Sequence, residues 1–468
     1  EGSGTAGTLG QPLTGTYGTL TLNANGSYSY VADQAAADAL DANDTATDVF
    51  NYTLSDGTTT DIATITITVT GINDPVVAVN DTGSVNEDAT LTVSDGSGDI
   101  IANNDTDADD SASLVVSAIR LGGTEGSGTA GTLGQALTGT YGQLTLNANG
   151  SYSYVANQSA ADDLDAGDTA TDVFNYTLSD GTATDIATIT ITVTGINDAP
   201  VAQNDVGVIN EDATLTVSNS ANANVSGSYD ATGEHSGDVI NTSSSSHTDS
   251  DPDDSASLVV SAIRLGGTEG SGTAGSIGSA LTGTYGQLTI AANGSYSYVA
   301  NQSAADDLDA GDSATDVFNY TLSDGTATDI GTITITVLGL NDPVVAVNDT
   351  GSVNEDATLT VSDGSGDIIA NNDTDADDSA SLVVSAIRLG GTEGSGTAGT
   401  LGQALTGTYG QLTLNANGSY TYVANQAAAD DLDAGDTATD VFNYTLSDGT
   451  ATDIATITIT VTGINDPV

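Results

Sequence analysis

DIATITITVT, residues 61–70, sets apolar Ile65, Ile67 and Val69 in alternation with Thr64, Thr66, Thr68 and Thr70. A period of two puts the apolar set on one face of a β-strand and the threonines on the other. Threonine, being β-branched, suits a solvated strand surface. Upstream, Phe50, Tyr52 and Leu54 form a second stripe that stops at the turn Ser55-Asp56-Gly57. Further upstream, Leu20 and Leu22 lead into Asn25-Gly26 and out through Tyr28 and Tyr30. Asn-Gly between alternating runs signals a hairpin. Because Tyr28 and Tyr30 alternate with Ser27 and Ser29, both are expected in the core. The Ala-rich stretch Gln34–Leu40, repeated at Gln158, Gln302 and Gln426, reads as one helical turn between strands.

Residues 1–74 return almost unchanged at 125–198, 269–342 and 393–466, so Glu1, Glu125, Glu269 and Glu393 are offset by 124, 144 and 124 residues. Solenoid repeats of ~20 to 50 residues are too short to match this period, which is that of a whole domain. Pro75, Pro200, Pro343 and Pro467 stand at or just after an Asn-Asp that closes the last apolar strand, where proline ends the ladder. Placing boundaries there gives units 75–198, 199–342 and 343–466, with 1–74 a partial module lacking about three strands. Within 75–198 the pattern predicts strands near 76–79, 89–93, 113–121, 143–147, 151–156, 173–179 and 187–195. Seven short strands in that span fit an immunoglobulin-like sandwich, so the fold class is all-β, tandem β-sandwich modules in a linear array. The middle unit carries 20 extra residues between Ser218 and Asp249, with Tyr229, His235 and His247, which read as a long loop or extra hairpin. The missing strands lead us to expect a block resembling 75–124 ahead of Glu1 in the parent protein. The competing expectation is that 1–74 borrows strands from a neighbouring molecule.

Sixty-four Asp and Glu stand against three arginines (Arg120, Arg264, Arg388) and no lysine, a formal charge of −61. That charge excludes nucleic acid and disfavours an anionic membrane surface. With 38% hydrophobic residues in clean alternation, folding is favoured over disorder. Cysteine is absent, so disulfides are too, and metal ions become the natural cross-link. No apolar run reaches the ~18 residues of a membrane anchor.

The acidic residues are clustered. Asp105, Asp107, Asp109 and Asp110 recur as Asp249, Asp251, Asp253 and Asp254 and as Asp373, Asp375, Asp377 and Asp378. Carboxylates without Cys or His suit calcium, a hard cation with six to eight oxygen ligands. The EF-hand pattern fails, since Asp110 stands where Gly is required and Val116 where Glu is required. The Gly-rich nonapeptide of calcium β-rolls is absent as well. A second set, Asp74, Asp81, Glu87 and Asp88, recurs as Asp198, Asp205, Glu211 and Asp212 and as Asp342, Asp349, Glu355 and Asp356. We expect these to gather with turn carboxylates such as Asp56, Asp180 or Asp324 around one junction and hold a bridging calcium ion. Solvated acidic turns are the alternative for both sets.

PVVAVND (75–81), NEDAT (86–90), NDTDADD (104–110), GQLTLNANGSYSY (142–154) and FNYTLSDG (174–181) together resemble the VCBS repeats of bacterial surface proteins, which are similar to bacterial immunoglobulin-like and cadherin-like modules. The resemblance implies a large secreted adhesin of the RTX type, often exported by a type I system. In it, tandem modules extend a tip domain from the bacterial cell surface and calcium stiffens the joints. It also implies Asp74, Glu87, Asp105 and Asp107 as calcium ligands. Partners are then calcium, neighbouring modules and other copies of the chain.

Catalysis has little material: His235 and His247 are the only imidazoles, cysteine is absent, and every carboxylate pair recurs in each module. An extender of a surface adhesin is the favoured reading. A filament or surface-layer subunit and a carbohydrate-binding repeat, in which exposed tyrosine stacks on sugar, stay open.

Overall fold

The computed structural model describes residues 4–109, 113–218, 225–226, 237–241, 247–253, 256–364, 366–377 and 381–465. Asp110, Asp254, Asp378, Tyr229, His235 and Pro467 lie outside the described residues. Residues 1–198 with 252–256 form one compact unit and 199–251 with 257–468 a second.

In the first unit, residues 75–198 make two facing sheets. One runs in the order Asp81–Asn86, Thr184–Thr194, Thr169–Ser179, Val115–Leu121, Thr129–Ala130. The other runs Ala136–Thr138, Gln143–Leu146, Tyr152–Val155, Thr90–Val93. The alternation seen in sequence decides which side chains meet between them: Ile189, Ile191 and Val193 are fully buried, with Leu144, Tyr154, Phe174 and Leu178. Burying such a side chain contributes about 1.5–3 kcal/mol. Tyr154 and Phe174 meet edge-on from opposite sheets, ring centroids 6.4 Å apart, the geometry aromatic quadrupoles prefer.

The first strand differs from expectation. Among the described residues, 76–79 contribute one bridge, Val77 to Thr106. The strand is Asp81–Asn86, which pairs in parallel with Ile189–Thr194. Side chains tie down what precedes it: Asp185 accepts the N–H of Ala78 and Asn80 accepts that of Thr188. Asp81–Asn86 escapes sequence reading because its residues, DTGSVN, lack apolar alternation. Gly83 shows why: a Cβ there would lie 2.8 Å from side-chain atoms of Ile191 and Leu91. The Asn-Gly hairpin forms, but Leu22 faces Tyr28, so the loop has five residues rather than two. The Ala-rich stretch makes the expected single turn, as at Ala35–Asp38 and Ser159–Asp162.

In the second unit the same two-sheet plan recurs twice, around separate buried clusters spanning Ile209 to Val337 and Val344 to Val461. Part of the expansion forms the strand Val225–Ser226, which extends one sheet by pairing with Thr216 and Val217.

Residues 4–74 form Pro12–Thr14, Thr19–Leu22 and Tyr28–Val31 in one sheet and Thr45–Ser55 and Thr60–Thr70 in the other. Tyr28 is 54% exposed, against the expected burial, while its counterpart Tyr152 is 5% exposed. Tyr152 is covered by its pairing with Val93, whereas Tyr28 pairs with Leu22 alone among the described residues.

Candidate metal centre

Around Asp74, turn chemistry brings carboxylates together. Asp109 accepts the N–H of Asp74 through Oδ2 at 3.1 Å. Asp107 accepts the N–H of Asp109 through Oδ1 at 2.9 Å. Asp180, in the turn after Thr169–Ser179, accepts Asn73 Nδ2 at 2.9 Å and the N–H groups of Thr182 and Ala183. One oxygen each of Asp107, Asp109 and Asp180 lies within 4.8 Å of the others. Asp107 Oδ2 and Asp109 Oδ1 are buried without a hydrogen-bond partner. Burial, then the charges of Asp107, Asp74 and Asp41, push the Asp109 carboxyl up, whereas the N–H of Thr182 heads the causes that hold Asp180 low. The arrangement repeats as Asp375, Asp377 and Asp448, with Asp342 donating its N–H to Asp377 and Asn341 donating to Asp448. Orphaned buried oxygens of like charge at this spacing fit a hard divalent cation.

Glu87 does not join Asp74. It follows the parallel strand at its far end, where Oε1 accepts the N–H of Ile196 at 2.5 Å. Asp74 contacts the Asp180 end of the module, and the 11-residue strand Thr184–Thr194 separates the two ends, about 35 Å at ~3.3 Å per residue. The expectation of one gathering of Asp74, Asp81, Glu87 and Asp88 is therefore corrected: direction along the strand decides which end each residue serves. Glu87 is 1% exposed and its Oε2 has no hydrogen-bond partner. Burial, followed by the charges of Asp198 and Asp253, raises its pKa. Asp198 itself donates its N–H to Asp253. Glu211 repeats the pattern, accepting the N–H of Leu340, with its carboxyl pushed up to about 7 by burial and then by Asp342 and Asp377. Glu355 accepts the N–H of Ile464. Asp88, with φ of 56°, donates its N–H to Ala156 and serves the turn rather than the cluster.

Asp81 and Asp105 belong to neither end. Both turn inward to the hydroxyl of Tyr176, which lies 3.1 Å from Asp81 Oδ2 and 3.1 Å from Asp105 Oδ2. Asp205 and Asp249 do the same at Tyr320, and Asp349 and Asp373 at Tyr444. Burial pushes Asp105 and Asp373 up to about 6 and Asp249 to about 7. Asp251 occupies the position equivalent to Asp107. Two of the acidic runs thus split, Asp105 and Asp373 facing the core while Asp107 and Asp109, and Asp375 and Asp377, join the carboxylate clusters.

Sequence reading missed Asp172, Asp316 and Asp440. Asp172 is 3% exposed and accepts the N–H groups of Thr140, Tyr141 and Gly142 and the hydroxyl of Tyr154. The signal was present: it interrupts the strand Thr169–Ser179 with a charge on the same face as Phe174.

The profile of the bacterial cadherin-like domain matches residues 2–71, 73–195, 197–339 and 341–463. The chain belongs to that family. Such domains usually bind calcium, and the bacterial cadherin-like repeat is typical of non-enzymatic structural or adhesion proteins of the extracellular type. No curated relative matches the sequence. Among solved structures, the protocadherin GammaB4 extracellular domain is 12% identical over 97% of this chain, with a TM-score of 0.45. The chain spans 60% of that protein's length. Mouse clustered PcdhgC3 EC1-3 is 12% identical over 82% of this chain and all of its own (TM-score 0.37), and Drosophila N-cadherin EC1-4 is 11% identical over 97% and 90% (TM-score 0.29). No helix among the described residues is long and apolar enough to cross a membrane.

Proposed function

We propose that the chain is the extender region of a bacterial cell-surface adhesin of the VCBS and RTX type, made of a partial module, 1–74, and three whole ones, 75–198, 199–342 and 343–466, whose joints calcium stiffens. One observation carries this reading: orphaned buried oxygens of Asp107 and Asp109 beside Asp180, repeated at Asp375, Asp377 and Asp448. Calcium would neutralise carboxylates that otherwise repel and would fix the backbone at Asp74 or Asp342, which already donates its N–H into the cluster. Asp198, Glu87 and Glu211 would add ligands at module ends, and Asp251 would complete the repeat of the acidic pair. The carbohydrate-binding alternative loses support because Tyr152 and Tyr154 are core residues.

Small-angle scattering of the whole chain in calcium and in chelator tests the proposal. Chelation is expected to broaden the distribution of interatomic distances and lower the melting temperature. An unchanged profile and melting temperature would rule the reading out.

A further inference from the structure

Four Asp-Pro bonds punctuate the chain: Asp74-Pro75, Asp251-Pro252, Asp342-Pro343 and Asp466-Pro467. Such a bond is a weak link of a peptide backbone toward hydrolysis, for two reasons. The Asp carboxylate reaches its own carbonyl carbon and closes a five-membered ring. The proline nitrogen, a tertiary amide without an N–H, is a more basic leaving group than an ordinary peptide nitrogen.

Two of these bonds carry a further device. Asn73 Nδ2 donates at 2.6 Å to Asp74 O, the carbonyl oxygen of the Asp74-Pro75 bond itself, and Asn341 Nδ2 donates at 2.6 Å to Asp342 O. The same two amides donate to Asp180 and Asp448, which fixes their direction. A donor already aimed at a carbonyl oxygen stabilises the negative charge that gathers there when the carbon is attacked. The attacking group is unrestrained: among the described residues, the side chains of Asp74 and Asp342 accept no hydrogen bond, while their N–H groups are held by Asp109 and Asp377. Pro75 and Pro343 are exposed, so water reaches the nitrogen.

The remaining positions supply the comparison. Asp198-Ala199 has the donor, Asn197 Nδ2 on Asp198 O, without the proline. Asp251-Pro252 has the proline, but Ser250 precedes it where the other bonds have Asn. Asp466-Pro467 lies outside the described residues.

We propose that the chain severs itself at Asp74-Pro75 and Asp342-Pro343, freeing residues 75–342 as a separate piece. A carboxylate oxygen of Asp74 bonds to the carbonyl carbon of the same residue and the C–N bond to Pro75 breaks. The electron pair stays on the proline nitrogen, which takes a proton from a hydronium ion of the solvent. Water then opens the cyclic anhydride and leaves Asp74 as a free C-terminus. Nothing is oxidised or reduced. Asn73 and Asn341 are the donors that hold the developing oxyanion.

The test incubates the full chain in calcium-free, mildly acidic buffer and follows the fragments by electrophoresis and mass spectrometry. Asp74-Pro75 and Asp342-Pro343 are expected to break at least tenfold faster than Asp251-Pro252 or Asp198-Ala199. In urea, which removes the Asn contacts, the three Asp-Pro bonds should break at equal rates. Asn341→Leu should slow the break at Asp342-Pro343 at least tenfold and leave that at Asp74-Pro75 of the same molecule unchanged. Ala199→Pro, which supplies the missing part, should add a break after Asp198. Circular dichroism checks that both variants fold. The proposal is overturned if Asp251-Pro252 breaks as fast as the two joint bonds in the folded chain, or if their difference persists in urea. An Asn341→Leu chain cut at the original rate, or an Ala199→Pro chain left whole after Asp198, would overturn it as well.

Discussion

Tyr154 donates its hydroxyl hydrogen to Asp172 Oδ2 at 2.6 Å, joining the two sheets of one sandwich through a buried charged hydrogen bond. The pair recurs as Tyr298 with Asp316 and Tyr422 with Asp440. Three backbone N–H groups of residues 140–142 end on the same carboxylate. Gly139 fits only because it has no side chain, since a Cβ there would lie 2.2 Å from Asp172 Oδ2.

Removing this clamp should destabilise one sandwich. Asp172→Ala strands four donors, two of them in buried hydrogen bonds and two part-buried, and is expected to cost about 3–5 kcal/mol, while Tyr154→Phe removes one bond and should cost about 1–2 kcal/mol. Urea unfolding of the full chain checks both. A shift below about 0.5 kcal/mol for Asp172→Ala would show that the clamp is not needed.

Asp107→Asn should weaken calcium binding near Asp74 at least tenfold and leave the metal-free fold intact, because the carboxylate it replaces keeps one oxygen without a partner. Calcium titration by calorimetry, with circular dichroism as the control for folding, reads both quantities. Unaltered affinity would remove Asp107 from the ligand set.

Asp74→Ala and Glu87→Ala should act independently. They serve opposite ends of the module, so their effects on calcium-dependent stability should add within about 0.5 kcal/mol, as distant sites do. A double-mutant cycle measures this, and a coupling above about 1 kcal/mol would return both residues to one site.

Calcium-free protein should lose stability as pH rises. The folded-state pKa values of Asp105 and Asp373 (about 6) and of Asp249 and Glu211 (about 7) exceed the ordinary carboxylate values of 3.8 and 4.5. Groups raised in this way contribute stability that is complete below the unfolded value and disappears as pH climbs through the folded one. Melting temperature in calcium-free buffer should therefore fall between about pH 4 and pH 7, and calcium should flatten or reverse that slope. A rise with pH in calcium-free buffer would contradict these shifts.

Strand identity was legible where alternation was strong, as in 61–70 and its copies, because one face is core and the other water. Asp81–Asn86 was illegible because its place is fixed by a parallel neighbour and by the fit of Gly83 rather than by hydrophobic pattern. The acidic runs pointed to a candidate cation site but not to its membership. Asp105 and Asp107 are two apart in sequence, yet one meets Tyr176 and the other the cluster at Asp180, a division set by the path of an irregular loop. Asp180 was named only as one turn carboxylate among several, and Asp172 not at all, although a charge on the apolar face of a strand, in step with Phe174, marked it.

The parallel register of Asp81–Asn86 against Ile189–Thr194 has a mechanical consequence. The chain enters the module at one end of this pair and leaves at the other, so tension between the two termini drags the strands past each other along their length. Six residue pairs then share the load at once, in shear, instead of opening one after another like a zip. A tether made of such modules would yield late and abruptly when pulled.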